Sequence, residues 1–247
     1  MAFSNCGRFL IAASVAEEGC LVVLDVNSGL VCENCSIILK DTTINKIVVN
    51  PYAEGDVDFV TVGQKGCLVV WKYDYETRGL LNFQPEMTQE LLNTDFTCAT
   101  YTPKLPAPFN CELVMIGTAD GAVVAVNPNP RDLSNINKLD WLEHGKKEFI
   151  LGEPISSIIY KHSQVVISGG LGNLIRYADK SAQVMPPDDR DMITRIRAEE
   201  PITATQMDDQ NNEGIVGTAN GAIKYIQFND DQSQCVKLVG KVTPYLD

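Results

Sequence analysis

Cys32-Glu-Asn-Cys35 is the single Cys-x-x-Cys pair in the chain, and two thiols at that spacing can hold zinc or cycle between dithiol and disulfide. Zinc needs four ligands. No second pair and no His-x-His set stands at a usual spacing, and His144 and His162 are isolated in the sequence. Redox work needs the motif at the start of a helix, where the dipole lowers the thiol pKa; here it falls between two runs that read as strands. Both cysteines therefore read as ordinary loop thiols. Gly169-Gly-Leu-Gly172 has the look of a phosphate-cradling loop, but no Lys-Ser/Thr follows and no helix opens after it, so it reads as a hairpin turn. Asp188-Asp-Arg-Asp191 and Asp208-Asp209 lack the alternating acids and closing Glu of a calcium loop and read as solvated turn charges. Asn34-Cys-Ser36 is formally a glycosylation acceptor, idle in a cytosolic chain. There is no nucleophile elbow and no triad, and His144 and His162 sit where surface residues are expected. The chemistry predicts no enzyme, no metal, no cofactor and no small-molecule substrate.

The elements that carry these residues are repeated hairpins. Val114-Met-Ile-Gly-Thr-Ala-Asp-Gly-Ala-Val-Val-Ala-Val-Asn127 reads as a strand, a tight turn and a second strand, because Asp and Gly tolerate the backbone such turns require. The same phrase returns as Gly214-Ile-Val-Gly-Thr-Ala-Asn-Gly-Ala-Ile-Lys-Tyr-Ile-Gln-Phe228, and more loosely over 9–24, 59–71 and 165–177. The expected turn glycines, Gly19, Gly66, Gly121, Gly172 and Gly221, recur in steps of about 50 residues, a range that includes four-stranded propeller blades. Inner strands are expected at 44–51, 96–101, 154–160 and 201–207, and outer strands at 149–151, 192–197 and 235–239.

Composition narrows the class. A hydrophobic content of 45% suits a globular protein, and short Val- and Ile-rich runs with little helical periodicity predict an all-β fold. A net charge of −12, from 32 acidic and 20 basic residues, argues against nucleic acid and anionic lipid as partners. No apolar run has the length of a membrane span, and the first residues lack the basic start and apolar core of a signal peptide. Cys20, Cys67, Cys98 and Cys111 fall at inward strand positions and read as small buried hydrophobes. Together these features predict a soluble, intracellular, acidic protein.

Phe3-Ser-Asn-Cys-Gly-Arg-Phe-Leu10 is similar to the WD-repeat phrase in which Phe-Ser precedes Pro-Asp-Gly-Arg, with Asn5-Cys6 in place of Pro-Asp. Cys20-Leu-Val-Val-Leu-Asp25 resembles the third strand of such a blade, with Leu24-Asp25 where Trp-Asp is usual. Over its whole length the chain resembles a WD40-type β-propeller. About five four-stranded blades are expected, near 1–40, 41–92, 93–151, 152–198 and 199–242 of a single domain over 1–247. Unpaired sheet edges are avoided in natural proteins, so the five are expected to belong to a larger assembly, seven-bladed or multi-propeller. No Gly-His and no Trp-Asp dipeptide occurs, so the His–Asp–Ser–Trp network of regular WD blades is expected to be missing and packing to replace it.

In an antiparallel blade the first-to-second and third-to-fourth loops share one edge, and the second-to-third turn leaves from the other. The short turns all fall on one edge. The long segments, 50–58, 103–110, 127–147 and 178–190, fall on the other, which marks it as the expected partner face. Pro103, Pro106, Phe109, Trp141, Lys146 and Lys147 are the candidate interaction residues there, aromatic residues being favoured as anchors. Among WD-repeat proteins the chain most resembles the divergent ones of cilia, flagella and centrioles. The resemblance lies in Gly214-Ile-Val-Gly-Thr-Ala-Asn-Gly-Ala-Ile-Lys-Tyr-Ile226, Val236-Lys-Leu-Val239 and Ile167-Ser-Gly-Gly-Leu-Gly-Asn-Leu174. It implies a non-catalytic scaffold in the cytoplasm and cytoskeleton, in an axoneme, centriole or basal body. The implied partners are microtubule-associated proteins and tubulin. A WD-repeat adaptor of a ubiquitin ligase, chromatin or vesicle-coat complex would share the same features.

Overall fold

The computed structural model describes residues 1–14, 18–40, 43–53, 57–74, 79–105, 111–128, 146–161, 164–178, 192–210, 212–228 and 234–241. Its strands form five four-stranded antiparallel sheets, each a meander in chain order. The first holds β1 (Ala2–Phe3), β2 (Phe9–Ala13), β3 (Glu18–Asp25) and β4 (Leu30–Lys40). The second holds β5 (Ile44–Val49), β6 (Asp58–Gly63), β7 (Leu68–Asp74) and β8 (Gly79–Phe83). The third holds β9 (Phe96–Tyr101), β10 (Val114–Thr118), β11 (Ala122–Val126) and β12 (Lys146–Phe149). The fourth holds β13 (Ile155–Lys161), β14 (Gln164–Gly169), β15 (Asn173–Ala178) and β16 (Met192–Arg197). The fifth holds β17 (Ile202–Met207), β18 (Glu213–Thr218), β19 (Ala222–Phe228) and β20 (Gln234–Lys241).

Successive sheets stack face to face, and the strand period of two sends alternate residues to opposite neighbours. In the second sheet Phe59, Val69 and Trp71 pack on Phe9, Ile11, Leu21 and Val23 of the first. The intervening Val60, Val62 and Leu68 pack on Val114, Ile116, Val124 and Val126 of the third. Met115, Val123 and Ala125 then meet Ile158, Val165 and Ile175 of the fourth. Val166, Leu174 and Ile196 meet Val216, Ile226 and Phe228 of the fifth. All residues of β10 and β11 are buried because both faces of the third sheet are covered. The outward faces of the end sheets are not covered in the same way. In the first sheet Ile11, Leu21 and Val23 are fully buried while Leu10, Ala12, Val22 and Leu24, on the opposite face, are half-exposed, with Phe3 60% exposed beside them. In the fifth sheet Ile215 is 48% exposed.

The turns show why glycine recurs. Gly66, Gly121, Gly172 and Gly221 all have φ between 63° and 103°, and each closes a turn onto the next strand. Of the residues that precede these glycines, Lys65 shares this conformation; Asp120, Leu171 and Asn220 do not, so their hairpins have a type I turn followed by a left-handed glycine. Each turn is clamped by the chain segments entering and leaving its sheet. Ala119, Gly170 and Ala219 donate backbone N–H groups to Asp95, Pro154 and Pro201 at 2.9, 2.7 and 2.9 Å. On the outgoing side, Leu151 and Ala198 donate to Gly121 and Gly172 at 2.9 and 2.7 Å. Linker carboxylates add to this clamp. Asp95 accepts from the Lys65 N–H at 2.9 Å, Glu153 from the Asn173 N–H at 3.2 Å, and Glu200 from the Asn220 amide.

Three sequence expectations need correction. Gly19 is not a turn residue: it lies within β3 opposite Leu39, and Ser14 already pairs with Cys20; residues 15–17 lie outside the described residues. Cys32 and Cys35 lie inside β4 and not between strands. The outer strand of the third sheet is Lys146–Phe149 and not 149–151, because Ile150 and Leu151 leave the sheet to bond Gly121. One tryptophan makes a cross-strand bond of its own, to a threonine. Trp71 Nε1 donates to Thr61 Oγ1 at 3.0 Å across β6 and β7, and its ring stacks on Phe59 at 6.0 Å between centroids. One helical turn is also present: α1 (Gln89–Leu92), capped by Thr88, buries Leu91 in the link between the second and third sheets.

Candidate functional site

Meander topology sends the β5–β6, β9–β10, β11–β12 and β15–β16 connections, the long ones, off one edge. On that edge, between the second and third sheets, lies a cavity of about 470 Å³. Asp58 stands at the first position of β6 and pairs in register with Lys72 of β7, which in turn pairs with Leu81 of β8. These three share the face of the second sheet that looks at the third, above Val60 and Val70. Tyr101, the last residue of β9, and Glu112, in the β9–β10 connection, close the cavity from the other side.

The polar groups are unequally satisfied. Asn50 is used fully. Its backbone N–H reaches Asp58 O at 2.8 Å, its Oδ1 accepts from Tyr52 N–H at 2.9 Å, and its Nδ2 donates to Glu112 Oε2 at 2.8 Å. Its carbonyl accepts from the Asn5 side chain of the first sheet at 2.8 Å, so one residue links three sheets. Lys72 Nζ stands 3.8 Å from Asp58 Oδ2, with its side chain mostly in solvent. Burial raises the Asp58 pKa above 3.8 and the nearby Glu112 charge adds to the rise, while Lys72 opposes it. Tyr101 is only 3% exposed; burial, then the charges of Asp58 and Glu112, push its phenol pKa up. Its hydroxyl makes no hydrogen bond to any described residue.

The residues expected to act are only partly brought here. Pro103 is half-buried at the root of the β9–β10 connection, where its carbonyl accepts from the Thr102 hydroxyl at 3.0 Å. Pro106, Phe109 and Trp141 lie outside the described residues. Lys146 and Lys147 belong to β12, opposite Ala125 and Val124, and not to the loop; their side chains lie outside the described residues. Sequence reasoning missed Asn50, Asp58, Lys72, Tyr101 and Glu112. No local motif groups them, since their positions converge only when two sheets stack. Neither cysteine of the Cys-x-x-Cys pair is among the described residues that line this cavity. Burial raises both thiols, Cys35 to about 11, which disfavours the thiolate needed for metal binding or exchange. Among the described residues no group of three or more His, Cys, Asp or Glu is arranged to hold a metal.

No protein-family model matches the chain, and no curated protein matches it by sequence. Its fold does match. The β-propeller domain of Cps50 (Swd1) from Myceliophteria thermophila superposes with a TM-score of 0.67 at 11% identity, covering 98% of this chain and 71% of that one. At that identity the likeness concerns the fold alone: the chain has the fold of a WD40-type β-propeller.

Proposed function

We propose that this chain is a non-catalytic protein-interaction scaffold that receives its partner on the long-loop edge. WD40 propellers commonly serve as protein-interaction scaffolds, and the cavity opening on the decorated edge between two rigid sheets is the observation that carries the reading here. The finer assignment, a component of axoneme, centriole or basal body, is supported by the sequence resemblance over 214–226 and 167–174. A net charge of −12 favours a basic microtubule-associated protein over the acidic tubulin surface as the direct partner.

We also propose that further four-stranded blades cover the outward faces of the first and fifth sheets. The half-exposed Leu10, Val22 and Leu24 and the exposed Ile215 support this. So does the match itself, in which five sheets occupy 71% of a propeller chain and leave length for about two more.

Cross-linking mass spectrometry on fractionated ciliated cells tests both proposals. The expected result is cross-links from 50–53 and 102–113 to a microtubule-associated protein in the detergent-resistant fraction, on a chain well above 27.1 kDa. A soluble 27.1 kDa species would overturn the axonemal and larger-propeller readings. Cross-links confined to the short-turn edge would overturn the assignment of the partner face.

A further inference from the structure

We propose that the cavity between the second and third sheets is a subsite for one basic side chain, lysine or arginine, on an extended segment of a partner protein with apolar residues beside it. This rests on the long-loop edge being the partner face. Charge is the first reason. Asp58 and Glu112 reach the cavity from facing sheets, and Lys72 is the only cation among the described residues that line it. Lys72 is 68% exposed and sits at the outer limit of an ion pair with Asp58, so it compensates that carboxylate weakly. Among the described residues Glu112 is hydrogen-bonded by a neutral amide alone, from Asn50. The cavity thus carries more acid than it neutralises, in a setting where solvent screens less than at the open surface.

The Tyr101 hydroxyl is the second and independent reason. Buried polar groups almost always have hydrogen-bond partners. The Tyr101 side chain is 3% exposed, yet its hydroxyl is not among the atoms shut off from solvent: it opens on the cavity and makes no hydrogen bond to a described residue. An entering ammonium or guanidinium would donate to its oxygen and to the two carboxylates together. A carboxylate from a partner would instead meet two like charges. Leu81, 56% exposed at the mouth beside Phe83, gives the methylene stem and a neighbouring apolar residue a surface to cover. Lys72 is then a competitor for Asp58, since an incoming cation displaces it into solvent.

The test is an NMR titration of the whole chain with two capped tripeptides, acetyl-Leu-Arg-Leu-amide and acetyl-Leu-Glu-Leu-amide. The arginine peptide is expected to shift the amide signals of Leu81, Tyr101 and Glu112, and the glutamate peptide to leave them unmoved. Glu112→Gln should weaken arginine-peptide binding about tenfold. Tyr101→Phe, which keeps the ring, should weaken it about fivefold. Lys72→Met should tighten it several-fold, a gain that a purely structural role for the pair would not produce. Equal binding of both peptides, or affinities unchanged in Tyr101→Phe and Lys72→Met, would overturn the proposal even if Glu112→Gln failed to fold. Cross-links on this edge without arginine-peptide binding would remove the subsite and leave the scaffold reading standing. Arginine-peptide binding with cross-links only at the opposite edge would do the reverse.

Discussion

The carboxylate of Glu153 fills the space that a side chain on Gly169 would need: a Cβ at Gly169 would fall on Glu153 Oε1. Glu153 belongs to the link between the third and fourth sheets, and the same oxygen accepts the Asn173 N–H. The acid is thereby buried against the hairpin it braces. Gly169 is thus required by a neighbour from another segment and not by its own backbone angles.

Gly169→Ala is expected to lower stability by about 2–3 kcal/mol, the cost of overpacking with a displaced buried acid. Urea denaturation followed by circular dichroism reads this directly. Combining it with Glu153→Ala should recover part of the loss, because the two changes compete for one space.

Two glycines separate backbone strain from crowding. Gly29 has φ 69° with open space around a built Cβ, while Gly121 has φ 88° and a Cβ that would meet the Leu151 carbonyl. Gly29→Ala should cost about 1–2 kcal/mol, the left-handed penalty alone. Gly121→Ala should cost at least twice as much, because the outgoing linker must also shift. Equal losses in thermal denaturation would show that the linker gives way freely.

The Trp71–Thr61 bond predicts a non-additive pair. Thr61→Val leaves the buried indole N–H without an acceptor and should cost about 1–3 kcal/mol. In a Trp71→Phe background the same change should cost little, so the double-mutant cycle should show coupling of about 1 kcal/mol. Additive effects would mean that the bond contributes nothing beyond packing.

Asp58 yields a pH signature. Its folded pKa lies above its ordinary value of 3.8, mainly through burial, with Glu112 raising it and Lys72 opposing. The folded state therefore holds the proton more tightly, and stability from this group falls as pH rises from about 3.8 through the raised value. Asp58→Asn should raise the melting temperature at pH 7, and the gain should fade in acid below that window. A melting-temperature difference that stays constant with pH would rule the effect out.

Thiol labelling reports the sheet interiors. Burial pushes Cys98 and Cys35 to about 11, whereas Cys6 is exposed. Iodoacetamide at pH 8 should modify Cys6 in the native protein, and modify Cys35 and Cys98 only after denaturation, as peptide mass spectrometry would show.

The propeller fold was legible because it is built from local signals that repeat. Alternating apolar runs around Asp120-Gly121 and Asn220-Gly221 specify hairpins from nearest neighbours alone, and their spacing specifies four-stranded sheets. α1 carries only a local signal, the Thr88 cap and Glu90 in its first turn, because a single turn is too short for helical periodicity. Gly19 resembles a turn glycine in sequence, yet its strand pairing already begins at Glu18. What only the tertiary structure decided is what stacking brings together. Asp58, Tyr101 and Glu112 are far apart in the chain, and whether a strand residue faces one neighbour or the other depends on a one-residue register that composition does not reveal. The residues favoured from sequence, such as Pro103, were chosen by loop position and type. The cavity instead draws on strand ends, where a polar residue on a sheet face becomes a site only because the next sheet buries it.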